Sequence, residues 1–166
     1  MPEKKYAQYL FSGFKEDSNL PAVATPQAYF RGARQIPGAN ANFGWQLFVK
    51  PIFLEREPHT HDADEYLIFL GGELPDLFSS FEAEIDLCMG EEQEQYLIDK
   101  PTIVYVPKGM PHTPLNFRKI VKPVFFTALL LTPKFTKTMN GKEFSYDGPG
   151  VGGAPKTIDI DEHFKK

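Results

Sequence analysis

The chain has 166 residues, a formal net charge of −4 and a pI near 5.6, with 15 Phe, 7 Tyr, 15 Pro, 13 Gly and one cysteine. That length suits one domain with one core, and the acidic balance excludes the basic field that neutralises phosphates or anionic lipids, so neither nucleic acid nor a membrane surface is expected as a partner. The lone Cys88 excludes an intramolecular disulfide framework and predicts a reducing, cytoplasmic location, and no run of about 18 apolar residues marks a membrane span.

Residues 1–44 mix aromatic clusters (YAQYLF, AYFRG) with Pro and Gly punctuation and sustain no helical period. They predict an arm with one or two short strands. Arg31 and Arg34 lie in this arm; a guanidinium fork can clamp a carboxylate, although surface arginines are commoner than functional ones. From Trp45 the character changes. WQLFVKPIFL, EYLIFLGG, FEAEIDLCMG, EQYLID, PTIVYVPKG and KPVFFTALLLTP are short β-branched or aromatic runs bounded by Gly, Pro or acidic turns. Regularly spaced strands of this kind predict an all-β barrel or sandwich over residues 45–133, not alternating βαβ units. The connection GGELPDLFSSF is longer than a tight hairpin needs and reads as an ordinary loop more readily than as a lid. Beyond Pro133 the chain turns polar and Gly-rich, which predicts a peripheral tail over 134–166 in which His163 is uninvolved.

The histidines carry the chemical signal. In PHTHDADEYLIF, His59 and His61 are two apart and Glu65 lies four beyond His61, so in an extended segment all three side chains point to one face. On a helix the two imidazoles would diverge by roughly 200° and could not chelate. In PTIVYVPKGMPHTPLNF a strand ends at Val106, turns through Pro107 and Gly109, and presents His112 as the next strand begins. Three imidazole nitrogens and one carboxylate oxygen suit a single divalent Fe, Mn, Ni, Co or Zn ion with up to two open positions, whereas a structural zinc site is closed and usually contains Cys. Asp62 and Asp64 fall out of phase with the ligands and should face away.

Other pocket candidates rest on strand parity, which does not say which face turns inward. Gln46, Phe48 and Lys50 share one strand face, Tyr105 and Thr127 lie on strands flanking the second histidine motif, and Asn116 follows His112 by four. Glu65 is expected as a ligand that can serve as a catalytic base if it detaches, and Tyr105 is the alternative base if it lies inside.

The two segments resemble the two motifs of the cupin superfamily over residues 45–132. His59, His61, Glu65 and Gly72 match the first motif, and Pro107, Gly109, His112 and Asn116 match the second; Phe53 and Pro101 stand where each motif often opens with glycine. The resemblance implies a double-stranded β-helix (jelly-roll) barrel with an N-terminal arm and a C-terminal tail, a metal at its centre, and frequent dimerisation, so a homodimer is expected. It implies no single reaction. The leading expectation is an enzyme acting on a small oxygen-rich organic molecule, a dioxygenase with Fe or a lyase, isomerase or decarboxylase with Mn, Ni or Zn. The alternative is a non-catalytic small-ligand-binding or sensor protein.

Overall fold

The computed structural model describes residues 4–145; His163 and the rest of 146–166 lie outside the described residues. Short alternating runs separated by Gly and Pro cannot sustain a helix, and apart from two 3-10 turns the described residues form strands and loops. In chain order these are β1 (Lys15–Glu16), β2 (Gln27–Arg31), β3 (Asn42–Phe48), β4 (Ile52–Glu55), β5 (Glu65–Gly71), β6 (Ala83–Met89), β7 (Glu94–Ile98), β8 (Thr102–Val106), β9 (His112–Ile120), β10 (Val124–Leu130), β11 (Thr136–Met139) and β12 (Lys142–Ser145). Among the described residues no helix is long and apolar enough to cross a membrane.

Two antiparallel sheets face each other. One runs β1-β2-β3-β10-β5-β8 and the other β4-β9-β6-β7. The arm supplies the first two strands of the larger sheet, where the Arg31 guanidinium donates to both Glu16 carboxylate oxygens at 2.8 and 2.9 Å and ties β2 to β1. Period-two alternation fills the space between the sheets. Leu67 and Phe69 of β5, Ile85 and Leu87 of β6, Leu115 and Phe117 of β9, and Val124 and Phe126 of β10 turn inward and are buried. Phe48 and Phe117 stack with ring centroids 4.1 Å apart, and Phe126 meets both edge-on. These aromatic contacts bind the two sheets together.

Two connections differ from the reading of the sequence or refine it. The loop after Gly71 leaves the end of β5 opposite to Glu65, and the Asp76 carboxylate folds it by accepting from the Phe78 and Ser79 amides and the Ser79 hydroxyl. It is an ordinary loop at the far end of the barrel from the histidines. The chain beyond Pro133 does not become a tail at once: β11 and β12 form a hairpin around Asn140-Gly141, both at positive φ, the turn that Asn-Gly favours. Thr138 of β11 bridges Thr60, and Lys137 and Met139 are buried, so this hairpin packs across the histidine end.

Because Phe117 is fully buried between Phe48, Phe69 and Phe126, Phe117→Ala should lower stability by about 3–5 kcal/mol in urea unfolding of metal-free protein. A loss under about 1 kcal/mol would mean that the two sheets are not held by this cluster.

Candidate metal centre

The site is built by backbone pairing at one end of the barrel. His59 and His112 exchange both N–H···O bonds at 3.1 Å, Thr60 and Thr138 exchange theirs at 2.9 Å, and the Gly109 amide donates to the His61 carbonyl at 2.9 Å. The segment carrying His59 and His61 is therefore held extended between the start of β9 and β11, and its period of two sends both imidazoles to one side. Gly109 sits at φ 79, a conformation that favours glycine and lets the turn close under His61. Glu65 opens β5 as the first of its inward residues.

These elements bring the three imidazoles and one carboxylate to a point. The nitrogens that His59, His61 and His112 can offer lie within 4.8 Å of one another. His59 Nε2 is 3.1 Å from His61 Nε2, and Glu65 Oε2 lies 2.9 Å from His112 Nε2 and 3.6 Å from His61 Nε2.

The outer ring nitrogens fix the tautomers. A carbonyl can only accept, so His61 Nδ1 donates to Thr136 O at 2.6 Å and His112 Nδ1 donates to Met110 O at 3.2 Å. The Thr113 hydroxyl donates its single proton to a backbone carbonyl, with Glu57 O at 2.7 Å, and its oxygen accepts from His59 Nδ1 at 3.1 Å. Thr113 reaches this position from φ 71, an uncommon conformation for a β-branched residue. With each Nδ1 tied outward, the three rings aim Nε2 inward, and the buried Glu65 Oε2 has only His112 Nε2, at 2.9 Å, and His61 Nε2, at 3.6 Å, beside it. Lone pairs facing each other at 3.1 Å repel unless a cation lies between them. The four groups fit a divalent ion, and the Nδ1 anchors are the outer contacts that orient metal-binding histidines.

Electrostatics agree with neutral imidazoles at two of the three positions. Burial, then the charges of His112, Lys137 and His61, hold His59 well below the usual imidazole range. Burial also lowers His61, against the opposing pull of Glu65. For Glu65 and His112 burial opposes charge, yet their mutual interaction outweighs it, lowering the carboxyl and raising the imidazole. A metal ion at the site would compete with a proton for these two groups.

The other expected pocket residues are placed elsewhere. Tyr105 pairs with Tyr66 across β8 and β5, on the opposite side of the sheet from Glu65, and is 48% exposed. It does not face the histidines and is not their base. Thr127 is buried but sits opposite Ile68 on that same outer face, and Asn116 pairs with Phe53 and Asp86, out of phase with inward Leu115 and Phe117. Lys50 lies beyond the end of β3 and is exposed. Gln46 and Phe48 do turn inward, but at the wrong depth. Glu65 lies in a row with Leu130 and Asn42, and Gln46 is four residues farther along β3, about 13 Å away. There it donates to Gln27, while Phe48 is packing core. Asp62 pairs with Lys108 at 2.5 Å and Asp64 accepts from the Lys108 amide at 2.9 Å, both away from the ring nitrogens.

Three contributors were not read from the sequence: Thr113, which orients His59, and the buried Lys137 with its partner Glu55. Asn140-Gly141 was the available signal for the hairpin that brings Lys137 in. Phe135 adds a ring 5.3 Å from His61. Two grooves, of about 600 and 580 Å³, lie apart from the histidines on the outer face of the larger sheet, lined by Phe14 and Trp45 with Leu47 and Phe125 or with Phe30 and Phe43.

No family model and no curated protein matches the sequence. Solved structures do. An oxalate decarboxylase superposes with a TM-score of 0.51 at 11% identity, covering 75% of this chain and 30% of that one, so the chain spans less than a third of that protein's length. Peruvianin-I, a cysteine peptidase from Thevetia peruviana latex, gives 0.51 at 14% identity, covering 81% of this chain and 78% of that one. An oxalate oxidase in complex with glycolate gives 0.49 at 12%, covering 80% and 64%. The oxalate decarboxylase is a cupin-fold protein, and the fold of this chain is the cupin jelly roll with a three-histidine site inside it.

Replacing the hydroxyl that anchors His59 tests the geometry without removing a ligand. Thr113→Val should weaken divalent metal binding about 10–100-fold in competition with a chromophoric chelator. Unchanged affinity would mean that the His59 ring is fixed by something other than Thr113.

Proposed function

We propose that this chain is a metal-dependent enzyme acting on a small oxygen-rich organic molecule at a centre formed by His59, His61, Glu65 and His112. The observation that carries this reading is the convergence of three Nε2 atoms, each ring tied at Nδ1, on one buried carboxylate oxygen of Glu65. Four protein ligands leave up to two positions of an octahedral ion for a substrate oxygen and a second small ligand. The chemistry supplied by a bound ion is oxygen activation for a dioxygenase in the case of Fe, and Lewis-acid polarisation for a lyase, isomerase or decarboxylase in the case of Mn, Ni, Co or Zn.

The chain's own residues do the rest. Thr113, Met110 and Thr136 hold the rings so that their inner nitrogens do not turn away, and the hairpin β11–β12 braces the His59–His61 segment through the Thr60–Thr138 bridge. Glu65, once detached from the ion, is the carboxylate placed to hold or move a proton. A second reading, a non-catalytic ligand-binding or sensor protein, draws support from the closure of the site, since the four ligands are only 1–6% exposed. The absence of a second cysteine in the sequence accords with a cytoplasmic location.

A homodimer through the outer face of the larger sheet belongs to this reading. Ile103 is 66% exposed beside Tyr105 on β8, the edge strand of that sheet, and Trp45 is exposed on the same face. Monomers rarely leave such an apolar face to water. Ile103→Glu should convert a dimer to a monomer in light scattering with the circular dichroism unchanged; a wild-type monomer would remove this part of the proposal.

Elemental analysis of tag-free protein tests the centre itself. Near-stoichiometric Fe, Mn, Ni, Co or Zn in wild type, lost in His61→Ala, is the expected outcome, and the element found selects oxygen consumption or Lewis-acid turnover as the assay for a panel of small carboxylic acids. Full occupancy in His61→Ala would mean that the metal is held elsewhere. A stoichiometric metal with no turnover across the panel would favour the binding or sensor reading.

A further inference from the structure

The two sheets turn different outer faces to solvent. On the smaller one, outward Glu84 and Asp86 are both met by Arg118, so that face is charged and solvated. On the larger one the outward side chains are apolar, and strand register lines them into rows. One row runs Lys15–Ala28–Trp45 across β1, β2 and β3, and the next runs Phe30–Phe43–Leu129–Tyr66–Tyr105 from β2 to β8. Ala28 is the smallest member of its row. Beside it the face falls into a groove of about 600 Å³ walled by Phe14, Trp45, Leu47 and Phe125, with Leu77 leaning in from the loop after Gly71. The second groove, of about 580 Å³, continues from the shared Phe14 and Trp45 toward Phe30 and Phe43. Both volumes fall in the range of small-molecule sites, which are mostly apolar with a few polar groups that fix orientation.

Of the residues lining the two grooves, Lys15 alone is charged. Glu16 turns inward to Arg31, so strand alternation turns Lys15 outward, onto the row with Ala28 and Trp45. Its side chain is exposed, and its ammonium has no ion pair among the described residues. An apolar trough with one cation at its rim is complementary to a molecule with a long apolar body and one negative end. A neutral hydrocarbon would leave the ammonium unmatched. A second copy presenting the same face would bring another Lys15 and, along these rows, no carboxylate. The groove also lies at the opposite edge of the face from Ile103, since β2 and β8 are four strands and about 19 Å apart.

We propose that the groove over Ala28 binds a fatty acid, its hydrocarbon chain lying between Phe14, Trp45 and Phe125 and its carboxylate meeting the Lys15 ammonium. The loop after Gly71 then has a role as one wall of that groove. The site is separate from the metal centre, so failure of either reading leaves the other in place.

Trp45 is the only tryptophan of the chain, so its emission reports on the groove directly. The test titrates the full chain with dodecanoate below its micelle concentration and with dodecanol as the neutral counterpart, followed by Trp45 fluorescence and by calorimetry. Wild type should bind one equivalent of dodecanoate with a blue shift, and about threefold more tightly than dodecanol, the scale of one exposed ion pair. Decanoate should bind about tenfold more weakly than dodecanoate, because it buries two fewer methylenes. Lys15→Gln should remove the preference for acid over alcohol. Ala28→Phe raises the floor of the groove and should weaken dodecanoate at least about tenfold by calorimetry, with the circular dichroism unchanged; Ala28→Leu covers the case in which Ala28→Phe fails to fold. Equal binding of acid and alcohol by wild type, a preference kept in Lys15→Gln, or undiminished binding in both Ala28 variants would overturn the proposal. Dodecanoate binding confined to the Ile103→Glu variant would assign the groove to a contact between copies and overturn it as well.

Discussion

The backbone bridge between His59 and His112 is the contact on which the site depends. Two segments far apart in sequence exchange both of their N–H···O bonds there, and each delivers an imidazole to the same small volume. A β-bridge fixes register as well as distance, so it determines which side chains face inward. Slipping either strand by one residue would turn the histidines out and bring Thr60 or Thr113 in. The aromatic stack of Phe48 and Phe117 clamps the two sheets that carry these segments, and the Thr60–Thr138 bridge adds β11 on the other side. Rigid strands are a better support for a ligand set than mobile loops.

Burying three imidazoles and a carboxylate together costs solvation, and the structure offsets that cost only in part. Each imidazole is satisfied at Nδ1 by a carbonyl or by Thr113, but the inner nitrogens and Glu65 Oε2 face one another. The attraction between Glu65 and His112 at 2.9 Å relieves some of the repulsion. A divalent ion relieves all of it, which is why a polar cluster that would be a defect in an ordinary core is coherent as a metal site.

Parts of this were legible in the sequence, and the divisions have physical causes. The HTH spacing with Glu65 behind it is readable because strand periodicity is two, so the spacing alone predicts a common face once the segment is extended. The alternation in FEAEIDL likewise gives the buried face of β6. Parity cannot assign an absolute direction, however, and that is why Tyr105, Thr127 and Asn116 fell on outer faces: β8 exposes Ile103 and Tyr105, apolar and aromatic residues that resemble core residues in sequence. Gln46 shows a second limit, since inward direction says nothing of depth along the barrel. The hairpin β11–β12 was marked by Asn-Gly, but its short, polar strands carry no hydrophobic alternation, so Lys137 and its place opposite His61 depend on a long-range pairing that local pattern does not encode.

The central claim is that one ion is held by three imidazoles and one carboxylate inside the barrel. X-ray absorption at the edge of the metal that the protein carries tests it most directly. The account predicts three nitrogen ligands and at least one oxygen ligand at about 2.0–2.2 Å, with the outer-shell scattering that imidazole rings produce. A first coordination sphere with no imidazole scattering, or one dominated by sulfur, would contradict it.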